Sequence, residues 1–417
     1  MQITYTENLP LLVIICLVFV PFPAKGEPGV FVGTSAFDRS NAIISDGVDG
    51  FHLIGSSEVK NGVQAWIAHY KPDSNEIVRT PIDLPITYTS SLLLGVTQLP
   101  GGDYIFVGSA QPAYQARFQL GEQKDDGWVV RMTTSGDILW STTYPSQYHE
   151  RFYFVNLLQN GSLLVGGRSE NRGKLRSSNG VSYIVDAETG KSVKQKTWGK
   201  DIFRAGFQDG IALPDGGYVL IGWVTDPLTK NDDIWLVRVK PNHITAWERK
   251  IGEEGDDLGF HGLLSNDGHI VVFGWGTKTG ASYKCGLILK LTLNGEEYKR
   301  AYFDFEKVGH DKFLFGITTH NDGYIAVGEA STSKKDFRGR AWAVSIDQNF
   351  NKIGEKVFNV QGSRFSGLTE TPSKRYYATG FGVRSGSKNV DAWITEIRYQ
   401  TSRFKPNQRY LSQPFPE

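Results

Sequence analysis

Four side chains in the middle of this chain have types and spacing that suit ligand chemistry. Trp223 and Trp275 each follow a glycine that ends a short apolar run, Gly222 in YVLIG and Gly274 in IVVFG. Asp209 and His261 each stand 13 residues before the same glycine. Aromatic faces beside a carboxylate and an imidazole suit a sugar ring or another small amphipathic ligand. In contact, the same Asp and His would form a general base and its orienting group. Neither spacing is a catalytic signature, and the ordinary roles of such residues, apolar filling and a hydrogen-bonded histidine, compete with both readings. The remaining histidines show no HxH or HExxH spacing, so no metal site is expected. There is no GxSxG and no P-loop, and no cofactor is implied.

The elements that must position these residues come from a repeat. A glycine ends an apolar run at Gly55, Gly108, Gly166, Gly222, Gly274, Gly328 and Gly380, with gaps of 53, 58, 56, 52, 54 and 52 residues. A constant period of this size means a stack of like supersecondary units. Downstream of each glycine is an alternating run with a large anchor: Trp66, Trp128, Tyr183, Trp235, Leu287, Trp342 and Trp393. Such alternation is that of a half-buried strand. Tight turns such as Asp215-Gly216-Gly217 and Asp267-Gly268 precede the glycine runs, and Ser135-Gly136 and Asn294-Gly295 follow anchor runs. Asn, Asp and Gly tolerate the positive φ that short hairpins need. Each unit therefore reads as four strands, A to D, with the recurrent glycine ending B and the anchor in C. One such sheet cannot bury both faces, but seven packed around an axis can. The expected fold is all-β: a seven-bladed β-propeller of four-stranded antiparallel blades. Blade 7 lacks a D strand after Ile394–Tyr399, and Val30–Phe37 (VFVGTSAF) is spare at the other end. The ring is therefore expected to be closed by an N-terminal strand.

The run DGGYVLIGWVTD, NDDIWLVRVKPN and ITAWERKIGEEGDD within Asp215–Asp257 resembles the repeat of secreted bacterial β-propeller proteins, DGGYIVAGST, DVWLVKLDSNG and WQKTYGG. The resemblance extends from Asn41 to Tyr399 and is loosest in blades 1, 3 and 7. It implies a propeller and export. It implies no activity, because the matching positions are structural.

The 417 residues carry Lys+Arg 45 against Asp+Glu 44, which excludes the broad basic surface of a general nucleic-acid binder. Leu9–Phe22 is uncharged and apolar but shorter than the ~20 residues of a spanning helix, and reads as the core of a signal peptide. Ala24-Lys25-Gly26 offers a cleavage site before Glu27. The expected organisation is a signal peptide at 1–26, the propeller at 27–400 and a C-terminal tail at 401–417. The expected location is secreted, periplasmic or extracellular, as a monomer with no membrane attachment after cleavage. The two cysteines, Cys16 and Cys285, then leave one thiol and no internal disulfide in the mature chain. Asn160-Gly161-Ser162 is the single glycosylation sequon, on an expected turn.

Strand order places the long B–C loops and the D–A loops on one face, and the short turns on the other. Binding is expected on the loop face. There the residues just past the recurrent glycine gather: Ser56, Ser109, Gly167, Trp223, Trp275, Glu329 and Phe381. The acidic D–A run Glu253-Glu254-Gly255-Asp256-Asp257 departs from the Ca²⁺-loop pattern and reads as solvated charge. Basic residues in the B–C loops, Arg168, Arg172, Lys174 and Arg176 in blade 3, Lys334, Lys335, Arg338 and Arg340 in blade 6, and Arg384 and Lys388 in blade 7, would attract a polyanion such as an acidic polysaccharide. The functional expectation is a binding or interaction module with a glycan or protein ligand on this face, centred on Trp223, Trp275, Asp209 and His261. The alternatives are a carbohydrate-active enzyme, a lyase or hydrolase, at the blade 4–5 mouth, and a purely structural surface protein.

Overall fold

The computed structural model describes residues 29–398, except 35, 61, 83–87, 113–123, 173–176, 201–202, 307–308 and 332–338. The expected signal segment and tail lie outside the described residues, as do Lys174, Arg176, Lys334, Lys335 and Arg338. The described residues form seven four-stranded antiparallel sheets and no helix. Six sheets are built from consecutive strands. The seventh joins Gln361–Glu370, Tyr376–Val383 and Val390–Ile397 to Val30–Val32 from the other end of the chain. Val30 pairs with Ile394, Phe31 with Trp393 and Val32 with Ala392, so the N-terminal strand closes the ring as blade 7's strand D. It is shorter than the sequence suggests: pairing stops at Val32.

Seven apolar clusters hold the ring, one at each interface between blades. The closing strand serves two of them. Phe31 packs between blades 6 and 7, while Val30 and Val32 face blade 1. Each C-strand anchor is buried, and burial of a side chain of this size contributes about 1.5–3 kcal/mol. Phe207 stacks on Trp235 at 4.6 Å, Phe313 on Trp342 at 4.8 Å and Phe365 on Trp393 at 4.9 Å.

The recurrent glycine has a steric cause. Every A strand carries a β-bulge just past the residue that faces it. The bulge tips the A-strand carbonyl toward the glycine: a Cβ at Gly222 would overlap the Gly206 oxygen, and one at Gly380 the Arg364 oxygen. This pattern corrects blade 3. There the equivalent residue is Gly167, which faces Phe152 and Val181 and whose Cβ would overlap the Arg151 oxygen. Gly166 and Tyr183 are therefore not the register pair. Val181 takes the anchor position, and Arg168, not Gly167, is the residue just past the glycine.

Candidate functional site

The bulge also places Asp209 and His261. Each directly follows the extra residue of its A strand, and the bulge turns it along the inner rim toward the next blade. His261 Nδ1 lies 2.7 Å from Asp209 Oδ2. The sequence register thus brought a true contact pair together. Its surroundings are those of a tie between blades. Asp209 accepts the Gly210 N–H at 2.7 Å and, across the interface, the Gly262 N–H at 2.9 Å. The His261 ring stacks on Phe315, the corresponding residue of blade 6, at 3.7 Å and 16°. Asn41 and Asn156 make similar inter-blade links to the carbonyls of Leu93 and Gly210.

Trp223 and Trp275 stand two strand positions beyond Ile221 and Phe273, the partners of Asp209 and His261, about 7 Å closer to the loop face. Both rings are buried, with 3% and 7% of their surface exposed. Arg204 lies 5.3 Å from the Trp223 ring centroid, and Lys284 lies 3.9 Å from that of Trp275. The indole faces are thus engaged by cations.

Two acids of the neighbouring loop are similarly engaged within the protein. Glu253 binds Arg300 at 3.0 Å and Asp256 binds Lys284 at 3.0 Å. Burial pushes Glu253 up, but hydrogen bonds from Thr279 and Tyr302 and the Arg300 charge outweigh it and hold the carboxyl at about 2. Asp257 behaves oppositely: burial raises it to about 6, and its Oδ1 has no hydrogen-bond partner among the described residues. The basic loop residues are partly neutralised. Arg172 and Arg168 lie 3.3 and 3.5 Å from Glu170, and Arg384 lies 3.5 Å from Asp391. Asn160 is exposed at a tight turn, with its Oδ1 accepting the Ser162 N–H at 3.1 Å.

A cavity opens instead on the opposite side of the loop face. It has a volume of about 150 Å³ between blades 1 and 2 and reaches blade 3. Phe37, Arg39, Ser56, Ser109, Gln111 and Arg151 are among its walls. Hydroxyls dominate because blades 1 and 2 carry serine where blades 4 and 5 carry tryptophan. Arg151 is fixed by Asp125 at 2.7 Å. Arg39 lies 4.6 Å from the Phe37 ring centroid and 5.8 Å from that of Phe381. Sequence reasoning missed Arg39 and Arg151. The legible signal is the strand position opposite the residue just past the glycine, which carries Arg39 in blade 1 and Arg151 in blade 3. A larger groove, about 620 Å³, lies on the turn face between blades 5 and 6. Within it Lys290 binds Asp267 and Asn266 binds Asp322, both at 2.6 Å.

No known family model matches the chain, and no curated protein matches it significantly. Solved structures do resemble it. A protein of unknown function from Dyadobacter fermentans is 13% identical, covers 89% of this chain and 98% of its own, and superposes with a TM-score of 0.50. The polysaccharide lyase Uly1 is 10% identical over 87% of this chain and 90% of its own, with a TM-score of 0.50. A puromycin hydrolase is 11% identical over 83% of this chain, with a TM-score of 0.52, and this chain spans 50% of its length. At these identities the likeness is one of fold. Among the described residues, no helix is long and apolar enough to cross a membrane.

Proposed function

We propose that this chain is an exported, monomeric binding module that takes a glycan on its loop face, in the cavity between blades 1 and 2. The observation that carries the reading is the make-up of that cavity. Ser56 and Ser109 hydroxyls, the Gln111 amide and two guanidiniums surround a space bordered by the Phe37 ring. Hydroxyls, amides and planar forks match the paired hydroxyls of a sugar, and an aromatic ring matches its C–H face. At about 150 Å³ the cavity is below the ~300 Å³ of a typical small-molecule pocket, so it takes one sugar residue while the rest of the chain lies over the rim. A polysaccharide lyase shares the fold, but the reading rests on the cavity and not on that likeness. A glycan array followed by calorimetry tests it. Phe37→Ala and Gln111→Ala should each weaken binding tenfold or more. Trp223→Phe and Trp275→Phe, which keep buried aromatic rings, should leave it within twofold. Unchanged binding in both cavity variants removes this seat.

One observation favours a second reading, a carbohydrate-active enzyme at the blade 4–5 mouth: the 2.7 Å contact of Asp209 with His261. An imidazole oriented by a carboxylate can act as a general base. The backbone donors on Asp209 and the ring stacked on His261 weigh toward a structural tie. A lyase and hydrolase screen of the wild-type chain and His261→Ala decides. Turnover abolished by the substitution in a folded protein supports the enzyme.

A further inference from the structure

One strand position separates the blades by charge. Sixteen residues before the register glycine, opposite the residue just past it, blades 1, 3, 6 and 7 carry Arg39, Arg151, Lys312 and Arg364. Two of these cations have their own carboxylate: Arg151 binds Asp125 at 2.7 Å, and Lys312 binds Glu329 at 2.9 Å. Arg39 and Arg364 have no ion pair within 4 Å among the described residues. Ring closure makes these two neighbours, because blade 7 packs against blade 1. Their guanidiniums both approach the Phe381 ring, Arg39 at 5.8 Å and Arg364 at 4.9 Å from its centroid. Arg364 Nε is buried without a hydrogen-bond partner among the described residues. Burial first, and then the Arg364 charge, lower the proton affinity of Arg39, while the Glu58 charge opposes this.

Two like charges half-removed from water, with a buried donor left unused, are an unbalanced arrangement. An anion between them would remove the imbalance, and arginine presents the fork that carboxylates and sulfates match with two hydrogen bonds. We propose that Arg39 and Arg364 form a clamp, backed by Phe381, for the carboxylate or sulfate group of an acidic glycan. This rests on the glycan reading above: Arg39 also lines the hydroxyl-rich cavity, so one ligand would place its ring there and its charge on the clamp.

The test uses the full chain and calorimetry with a uronic-acid oligosaccharide, its carboxyl-reduced counterpart and a sulfated neutral oligosaccharide. The uronate or sulfated oligomer should bind at least tenfold tighter than the reduced one, and which of the two binds identifies the anion. Arg39→Gln and Arg364→Gln should each cost tenfold or more. Arg364→Lys, which keeps the charge without the fork, should lose most of the affinity in a folded protein, whereas Lys312→Gln should stay within twofold. Equal binding of charged and reduced oligomers, or unchanged binding in the arginine variants, overturns the clamp and leaves the glycan reading standing. If no oligosaccharide binds, thermal unfolding in sodium sulfate against sodium chloride at matched ionic strength separates the two. A sulfate-specific rise in melting temperature that Arg364→Gln abolishes keeps the clamp and retires the glycan. No such rise retires both.

Discussion

The mouth at blades 4 and 5 and the mouth at blades 7 and 1 are built on the same strand register and solve opposite problems. At blades 4 and 5, Trp223 and Trp275 lie under Arg204 and Lys284, and Asp209 is met by two backbone donors and His261. Most polar groups there have a partner within the protein, although the buried Asp257 Oδ1 has none among the described residues. At blades 7 and 1, two guanidiniums share one aromatic ring, and Arg364 Nε has no partner among the described residues. A region rich in functional-looking residues can be largely satisfied from within, while a plainer one leaves two like charges without a counter-ion. Unmet polar groups are the better guide to a ligand.

Four measurements sharpen or break this contrast. The largest effect is common to both mouths. Gly222→Ala and Gly380→Ala each force a Cβ onto a backbone oxygen, and each should cost about 3 kcal/mol or more in denaturant unfolding. A cost under about 1 kcal/mol at either would show that the shared register is not sterically fixed.

The next effect is on the blade 4–5 side. Asp257 is raised by burial to about 6 from an ordinary 3.8, so the folded chain holds its proton more tightly than the unfolded chain. Stability from this group is full below about pH 4 and is lost as pH rises through about 6. His52, lowered by burial to about 4, runs the other way over an overlapping range, so the difference between variants is the clean readout. Relative to wild type, Asp257→Asn should gain about 1–3 kcal/mol on going from pH 4 to pH 7. A constant difference would mean that the group titrates normally.

Asp209→Ala should cost about 1–3 kcal/mol, because it strands the Gly210 and Gly262 donors, and His261→Phe should cost less, since a ring can still stack on Phe315. Full stability in both, together with lost binding or turnover, would turn the tie into a functional site and break the comparison. The smallest effect is at the other mouth. Salt screens the Arg39–Arg364 repulsion, so wild type should gain up to about 0.5 kcal/mol over Arg364→Gln between low and high sodium chloride. Lys312→Gln should show the reverse sign, since wild type then loses the Lys312–Glu329 attraction. Identical salt slopes would show that the two arginines do not sense one another.

Much of the scaffold was legible because its determinants are local. The glycine, the anchor and the hairpin turns lie within one unit, and strand alternation needs no distant partner. Blade 3 shows the limit of that reading. Gly166 and Gly167 are adjacent, and only the bulge between Phe152 and Phe154 decides which one faces the A strand. The Asp209–His261 contact was also accessible, because equal offsets from one register residue put the two at corresponding places on neighbouring blades.

The sequence by itself determined seven repeating units, their strand order and the strand that closes the ring, since periodic burial and backbone sterics act over a few residues. Tertiary structure alone decided which cations are satisfied. Arg39 and Arg364 are 325 residues apart in the chain and meet only because the ring closes. Asp125 reaches Arg151 from the preceding blade. Charge balance is a sum over neighbours in space, and in a closed ring the first and last blades are neighbours.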